Sequence, residues 1–272
     1  LHKAETQLAS VQKATSHDFG EPTYDAPQRE EGFVASAGLL YVKPYATNKQ
    51  LGNDRDYDLG FNMTAGYQDA NNVDYAINYK HFGTDDSSSR SSTVSDTFKV
   101  DYDVLDFVIG KRLQLAESVS MRFSGGLRYA AIDEESTQYW VLGTTTLGGK
   151  SDLWGVGLLA GIAPEWNPVN SNFQIFSSLS GSFLAGGLHS PRADLPIRDK
   201  HILFSMVQAS AGIGYLVPTD FGDIELKASY QYELVDINSQ LEGATSSTDT
   251  LFDYKGHQGV YGSIGYAFGD MN

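Results

Sequence analysis

From Ile224 to Leu234 every second residue is apolar. Ile224, Leu226, Ala228, Tyr230, Tyr232 and Leu234 alternate without interruption with Glu225, Lys227, Ser229, Gln231 and Glu233. A period of two places successive side chains on opposite faces of a β-strand, so this stretch must separate an apolar surface from a polar one. The pattern recurs along the chain. Val73, Tyr75, Ile77 and Tyr79 alternate with Asp74, Ala76 and Asn78. Leu59, Phe61, Met63, Ala65 and Tyr67 do so with Gly60, Asn62, Thr64 and Gly66. Val119, Met121, Phe123, Leu127 and Tyr129 do so with Ser120, Arg122, Ser124 and Arg128. Ten such segments, at 33–43, 58–68, 73–83, 97–111, 119–132, 153–163, 173–187, 201–217, 223–235 and 256–268, predict an all-β chain. Several exceed the five or six residues typical of globular strands. They match the ~9–11 residues that a tilted transmembrane strand requires.

The connections favour one architecture. Segments 44–57, 84–96, 133–152, 188–200 and 236–255 are long and polar, whereas 69–72, 112–118, 164–172 and 218–222 are short, and the two kinds alternate from first to last. A transmembrane up-and-down antiparallel β-barrel has short periplasmic turns and longer external loops in this order. About ten strands are predicted, with eight or twelve as the neighbouring counts. All eight prolines fall in the N-terminal stretch or in connections, as expected where every strand is hydrogen-bonded on both sides. The polar face carries Gly, Ser, Asn and Gln among its charges, too little charge for a water-facing exterior, while Tyr and Phe near strand ends resemble interfacial girdles.

Residues 1–31 read differently. Leu1 to Ala14 is compatible with a short amphipathic helix, and Gly20 to Glu31 is an acidic, Pro-containing linker. The expected division is an N-terminal periplasmic extension or plug at 1–31 and an outer-membrane barrel at 32–272. The start at Leu1 suits a chain whose export signal has been cleaved. No run approaches the ~18 apolar residues of a membrane helix, which is no argument against a barrel. The net charge of −15 argues against nucleic acid as a partner, and the absence of cysteine excludes disulfide scaffolds and thiolate metal sites.

One segment breaks phase. Phe98, Val100, Tyr102 and Val104 share one parity, and Leu105, Phe107 and Ile109 take the other. A β-bulge near Val104–Leu105 would restore both halves to the lipid face and turn Asp106 inward.

Several stretches resemble the Legionella-type major outer membrane protein family, a group of pore-forming barrels. They are Ala37-Gly-Leu-Leu-Tyr-Val-Lys-Pro44, Val104-Leu-Asp-Phe-Val-Ile-Gly-Lys111, Arg122-Phe-Ser-Gly-Gly-Leu-Arg-Tyr-Ala-Ala-Ile-Asp133, Trp154-Gly-Val-Gly157, Ser178-Leu-Ser-Gly-Ser-Phe-Leu-Ala-Gly-Gly187 and Val207-Gln-Ala-Ser-Ala-Gly-Ile-Gly-Tyr215. They run in the correct order over about 32–268. The resemblance implies an outer-membrane pore in a Gram-negative-type bacterium. Some family members carry cysteines and this chain has none, so disulfide-linked assembly does not carry over.

With the apolar faces on lipid, the predicted lumen-lining residues are Asp74, Lys80, Lys99, Asp101, Asp103, Asp106, Arg122, Arg128, Glu225, Lys227 and Glu233. The opposite wall is small: Gly155, Gly157, Gly161, Ser178, Ser180, Ser182, Ser210, Gly212 and Gly214. Acids and bases are nearly balanced, which suits cross-strand pairing as well as a charged passage. Eight strands leave almost no internal space and wide channels need 16–18, so ten imply a narrow polar lumen for ions or small polar solutes. The alternative is a closed structural or adhesive barrel acting through its external loops or by lateral assembly. Catalysis, with His189 and His201 beside Asp194 and Asp199 as the candidate pairs, is not expected, and no catalytic residues, cofactor or metal site are assigned. The expected partner is outer-membrane lipid, with a homo-oligomer or array as a further option. Weak Ca²⁺ binding is conceivable at the acidic loops, where Asp54, Asp56 and Asp58, or Asp133 and Glu135, alternate, although the ligand spacing of an EF-hand is missing.

Overall fold

The computed structural model describes residues 31–46, 56–91, 94–140, 146–169, 171–190, 198–219, 222–237 and 254–269. The proposed N-terminal helix and the linker up to residue 30 lie outside them. The described residues form ten strands: β1 (Gly32–Ala46), β2 (Asp58–Gln68), β3 (Val73–Ser91), β4 (Val94–Ala116), β5 (Val119–Trp140), β6 (Thr146–Trp166), β7 (Phe173–Ser190), β8 (Arg198–Thr219), β9 (Gly222–Ile237) and β10 (Tyr254–Gly269). Each pairs antiparallel with its sequence neighbours, and β1 closes on β10 from Gly32↔Gly269 to Ala46↔Tyr254. Closure leaves no exposed sheet edge, which hydrocarbon would not tolerate.

The short turns are built by local polar chemistry. At the β2–β3 end, Asp69 Oδ1 accepts hydrogen bonds from the amides of Asn71 (2.8 Å) and Val73 (2.9 Å), and Asn72 takes the left-handed conformation at φ 59°. These two amide contacts, Val73 first, hold the Asp69 carboxyl below the usual carboxylate range.

The long connections are shorter than the sequence suggests. β3 and β4 continue as a paired hairpin as far as Ser91↔Val94, and β5 pairs with β6 as far as Tyr139↔Thr146. Much of segments 84–96 and 133–152 is therefore strand, and the β3–β6 side of the wall stands tallest.

The predicted bulge at Val104–Leu105 is absent. The pairing of β4 runs unbroken from Val94↔Trp140 to Gln114↔Ser120, and one parity faces inward throughout. The two apolar sets of β4 differ because the barrel changes polarity along its axis. In the periplasmic two-thirds the outward face is apolar: Phe107, Ile109, Leu127, Val156, Leu158, Ile175, Leu179, Ile213 and Ile264 are exposed there. Aromatic residues border this band, with Phe33, Tyr75, Trp166, Tyr215 and Phe268 below and Tyr41, Tyr129, Trp154 and Tyr232 above. Phe33 and Tyr41 are eight residues apart on β1, about 27 Å along a strand, which a tilt of about 40° reduces to about 20 Å. This is close to the apolar height of an outer-membrane barrel.

Above the upper aromatics the outward residues become His81, Lys99, Asp101, Asp103, Asp133, Lys150 and Asp152, and the inward ones become mostly apolar, with Thr84, Glu134 and Ser151 buried among them. Leu40, Val42, Phe82, Phe98, Val100, Tyr102, Val104, Ala130, Ile132, Leu153, Leu184, Leu188, Phe204, Met206 and Val235 form one buried cluster inside the external end. That end is constructed as a water-facing barrel standing on a membrane-facing one.

Candidate functional site in the barrel lumen

Eight of the eleven predicted lumen residues point inward, and the structure joins them in pairs. Nearest the periplasm, Arg112 contacts Glu165, and Glu225 accepts from Gln174 Nε2 at 2.6 Å and from Lys227 Nζ at 2.8 Å. Higher, Arg122 Nε lies 2.8 and 3.1 Å from the two carboxylate oxygens of Asp74. Next, Arg128 grips Asp106 with Nε and Nη2 at 2.7 and 2.8 Å and reaches Ser182 at 3.4 Å. Above these, Lys80 Nζ sits 3.2 Å from Glu233 Oε2, and Tyr102 Oη donates to Glu233 Oε1. His257 lies opposite Glu233 in the register, with Nδ1 3.9 Å from Oε1.

Lys99, Asp101 and Asp103 are corrections. They stand on the outward parity of β4, above the lipid band, where water solvates them. Lys99 pairs with Asp85 at 2.7 Å, and Asp103 accepts from Tyr79 Oη and sits 3.0 Å from His81 Nδ1. Alternation alone places them in the lumen, because it cannot show where the strand leaves the membrane. On the same outer band Asp133 stands directly across from Asp152; burial, and then that neighbouring charge, push its carboxyl above the usual range.

The small wall has a packing reason. A Cβ on Gly155 would come within 2.5 Å of the Phe204 ring, and one on Gly110 would overlap the Arg122 guanidinium at 2.5–2.6 Å. Glycine on one strand makes room for a long side chain that passes over it from a nearby strand.

Between the ion pairs lies a cavity of about 190 Å³, lined by Asn62, Asn78, Lys80, Asp106, Arg122, Arg128 and Gln208 among others. Every cation on this wall has a carboxylate within reach, which is how charge persists at low dielectric. Tyr102, Phe82 and His257 form the floor of the apolar cluster, with ring centroids 4.8 Å (Phe82–Tyr102), 4.7 Å (Phe82–His257) and 5.2 Å (Tyr102–His257) apart. Sequence reading missed Tyr102, Arg112, Glu165 and His257. The signal for Arg112 and Glu165 was present, since both keep the inward parity of their strands.

Of the His–Asp candidates, His189 and His201 face outward on β7 and β8, His189 stands opposite Asp199 in the register, and Asp194 lies outside the described residues. Asp54 also lies outside them, while the amide of Asp56 donates to Asp86 Oδ1 at 3.3 Å. Among the described residues no group of three or more metal-ligating side chains converges.

The family model described as "Legionella pneumophila major outer membrane protein precursor" matches residues 21–268. No curated protein matches the sequence. Among solved structures, outer membrane protease OmpT from Escherichia coli is similar at 9% identity, with 90% of this chain and 97% of that chain covered and a TM-score of 0.46. The translocator domain of autotransporter NalP from Neisseria meningitidis gives 11% identity, 98% coverage of both chains and a TM-score of 0.44. Ail, the attachment invasion locus protein of Yersinia pestis, gives 14%, 89% and 99% coverage, and 0.31.

Proposed function

This chain belongs to the Legionella major outer membrane protein family, and from that premise we propose that it is a narrow outer-membrane pore for ions or small polar solutes that rests closed. The supporting observation is the asymmetry of the lumen. From its periplasmic end up to Lys80 the inner wall is mostly polar, carries paired charges and surrounds a cavity, whereas mostly apolar side chains fill the external end. Polar lining along the membrane-embedded length gives a hydrated ion a continuous set of donors and acceptors. The same reading treats the chain as a conduit and not an enzyme, needing no cofactor, exported through a cleaved signal and free to associate laterally.

The test is single-channel recording from purified, heat-modifiable protein in a planar bilayer. Infrequent steps of low conductance are expected. A folded protein that gives no steps at any voltage overturns the pore.

A second reading has its own observation. The tall β3–β6 wall and its apolar core form a rigid pedestal above the membrane, suited to presenting loops to a surface partner. Ordered arrays in native membranes, or binding that disappears when the external loops are shortened, would favour it.

A further inference from the structure

The lumen is closed at one level by a contact that spans it. In the barrel order, β4 and β9 are five strands apart in both directions, so Tyr102 and Glu233 are diametrically opposite. Lys80 on β3 reaches Glu233 across four strand positions. All three side chains are nearly fully buried. This bar lies between the polar cavity below, which Lys80 lines, and the apolar cluster above, to which Tyr102 belongs, its ring stacked on Phe82. Anything moving from the cavity to the outside must displace it.

We propose that Lys80, Glu233 and Tyr102 form the latch of a two-state lumen, an inference that rests on the pore reading above. The latch has a place to go. Lys80 and Asp106 line the same cavity, and they are near neighbours on adjacent strands because Asn78 faces Asp106 and Lys80 faces Val104 in the register. Lys80 can therefore exchange Glu233 on the far wall for Asp106 beside it, and its ammonium keeps a carboxylate throughout. A cation that crosses the lumen in one pairing lies along the wall in the other. Glu233 retains Tyr102 on release until that ring swings, and His257 is already beside it. Interiors rearrange between discrete packings and do not deform continuously, which makes the exchange a switch. No covalent bond is made or broken; in the released state Lys80 and Arg128 share Asp106, and Glu233 keeps the Tyr102 hydroxyl with His257 3.9 Å away.

The test compares open probability in single-channel recordings of the full chain, each variant first checked for heat-modifiable migration. Lys80→Ala and Glu233→Ala should each raise open probability at least about tenfold, with unit conductance similar to the native protein. The charge-swapped double variant, Lys80→Glu with Glu233→Lys, should return it toward the native value, since the pair is rebuilt in reverse. That rescue separates a latch from general loosening of the barrel. If the single variants conduct with native open probability, or the swap stays as open as they are, the latch is wrong and the pore reading stands. If neither the native chain nor Glu233→Ala conducts while both are folded, the pore reading fails and the latch with it.

Discussion

Tyr102 of β4 and Glu233 of β9 touch across the full width of the barrel, and Lys80 completes the contact from a third strand. A buried carboxylate between an ammonium and a phenol is costly to dismantle from one side. Removing Glu233 takes away the carboxylate that Lys80 and the Tyr102 hydroxyl share and drives Lys80 onto the Asp106–Arg128 pair, so Glu233→Ala should destabilise the barrel by about 1–3 kcal/mol. Replacing the set together, as Lys80→Met, Tyr102→Phe and Glu233→Leu, should cost less than that, because the buried ammonium, phenol and carboxylate are removed together and His257 alone loses a neighbour. Urea unfolding in detergent micelles, followed by tryptophan fluorescence, measures both. A single variant less harmful than the triple one would contradict this account.

The outward position of Asp101 and Asp103 can be checked chemically, because the native chain has no cysteine. Cysteines placed at 101 and 103 should react in whole cells with a membrane-impermeant thiol reagent. Cysteines at Val100 and Val104, whose side chains are 0% and 3% exposed within the apolar cluster, should stay unlabelled in the closed state. Equal labelling at all four positions would mean that β4 does not present the two faces found here.

Much of this was legible in the sequence, for a specific reason. Within the membrane the alternation in Ile224–Leu234 is set by a single boundary, lipid outside and a polar lumen inside, so parity alone assigns each face. Strand count, antiparallel order and the inward set Asp74, Lys80, Asp106, Arg122, Arg128, Glu225, Lys227 and Glu233 follow from it. The same logic misassigned Lys99, Asp101 and Asp103. Above the bilayer the outer solvent changes from hydrocarbon to water and the apolar parity reverses with no change in the backbone. In β4 that reversal imitates a bulge. The cross-lumen partners were not legible either, because Tyr102 and Glu233 are 131 residues apart and parity does not record which opposing strands meet.

The β2–β3 turn should show a pH dependence of known sign. The amides of Val73 and Asn71 hold the Asp69 carboxyl below its ordinary range, so its ionised form is favoured by folding. Such a group adds stability above its unfolded value, and the contribution fades as pH falls through the lower folded value. The stability difference between the native chain and Asp69→Ala should be constant near neutrality and shrink below about pH 4. A difference that grows on acidification would reverse the assigned role.

The change of polarity along the axis predicts that one kind of substitution has opposite consequences at two heights on the outer surface. Leu158 is 70% exposed on β6, between Trp154 and Trp166, and faces Leu127 and Phe183 on the flanking strands. In lipid that exposure is favourable, and an arginine there must be pulled toward an interface or carry its charge into hydrocarbon. Leu158→Arg should cost about 2–4 kcal/mol, the range for a cation near the bilayer midplane of a barrel. Asp101 lies on the same outer surface, above the upper aromatic belt. There Asp101→Arg should change stability by no more than about 0.5 kcal/mol, as for an ordinary water-exposed site. Reversible unfolding in vesicles, with both variants compared to the native chain, gives the two values. If Asp101→Arg is as damaging as Leu158→Arg, the membrane reaches higher than the aromatic belt and the apolar cluster lies inside the bilayer. If both are harmless, the exposed leucine, isoleucine and phenylalanine side chains do not face lipid.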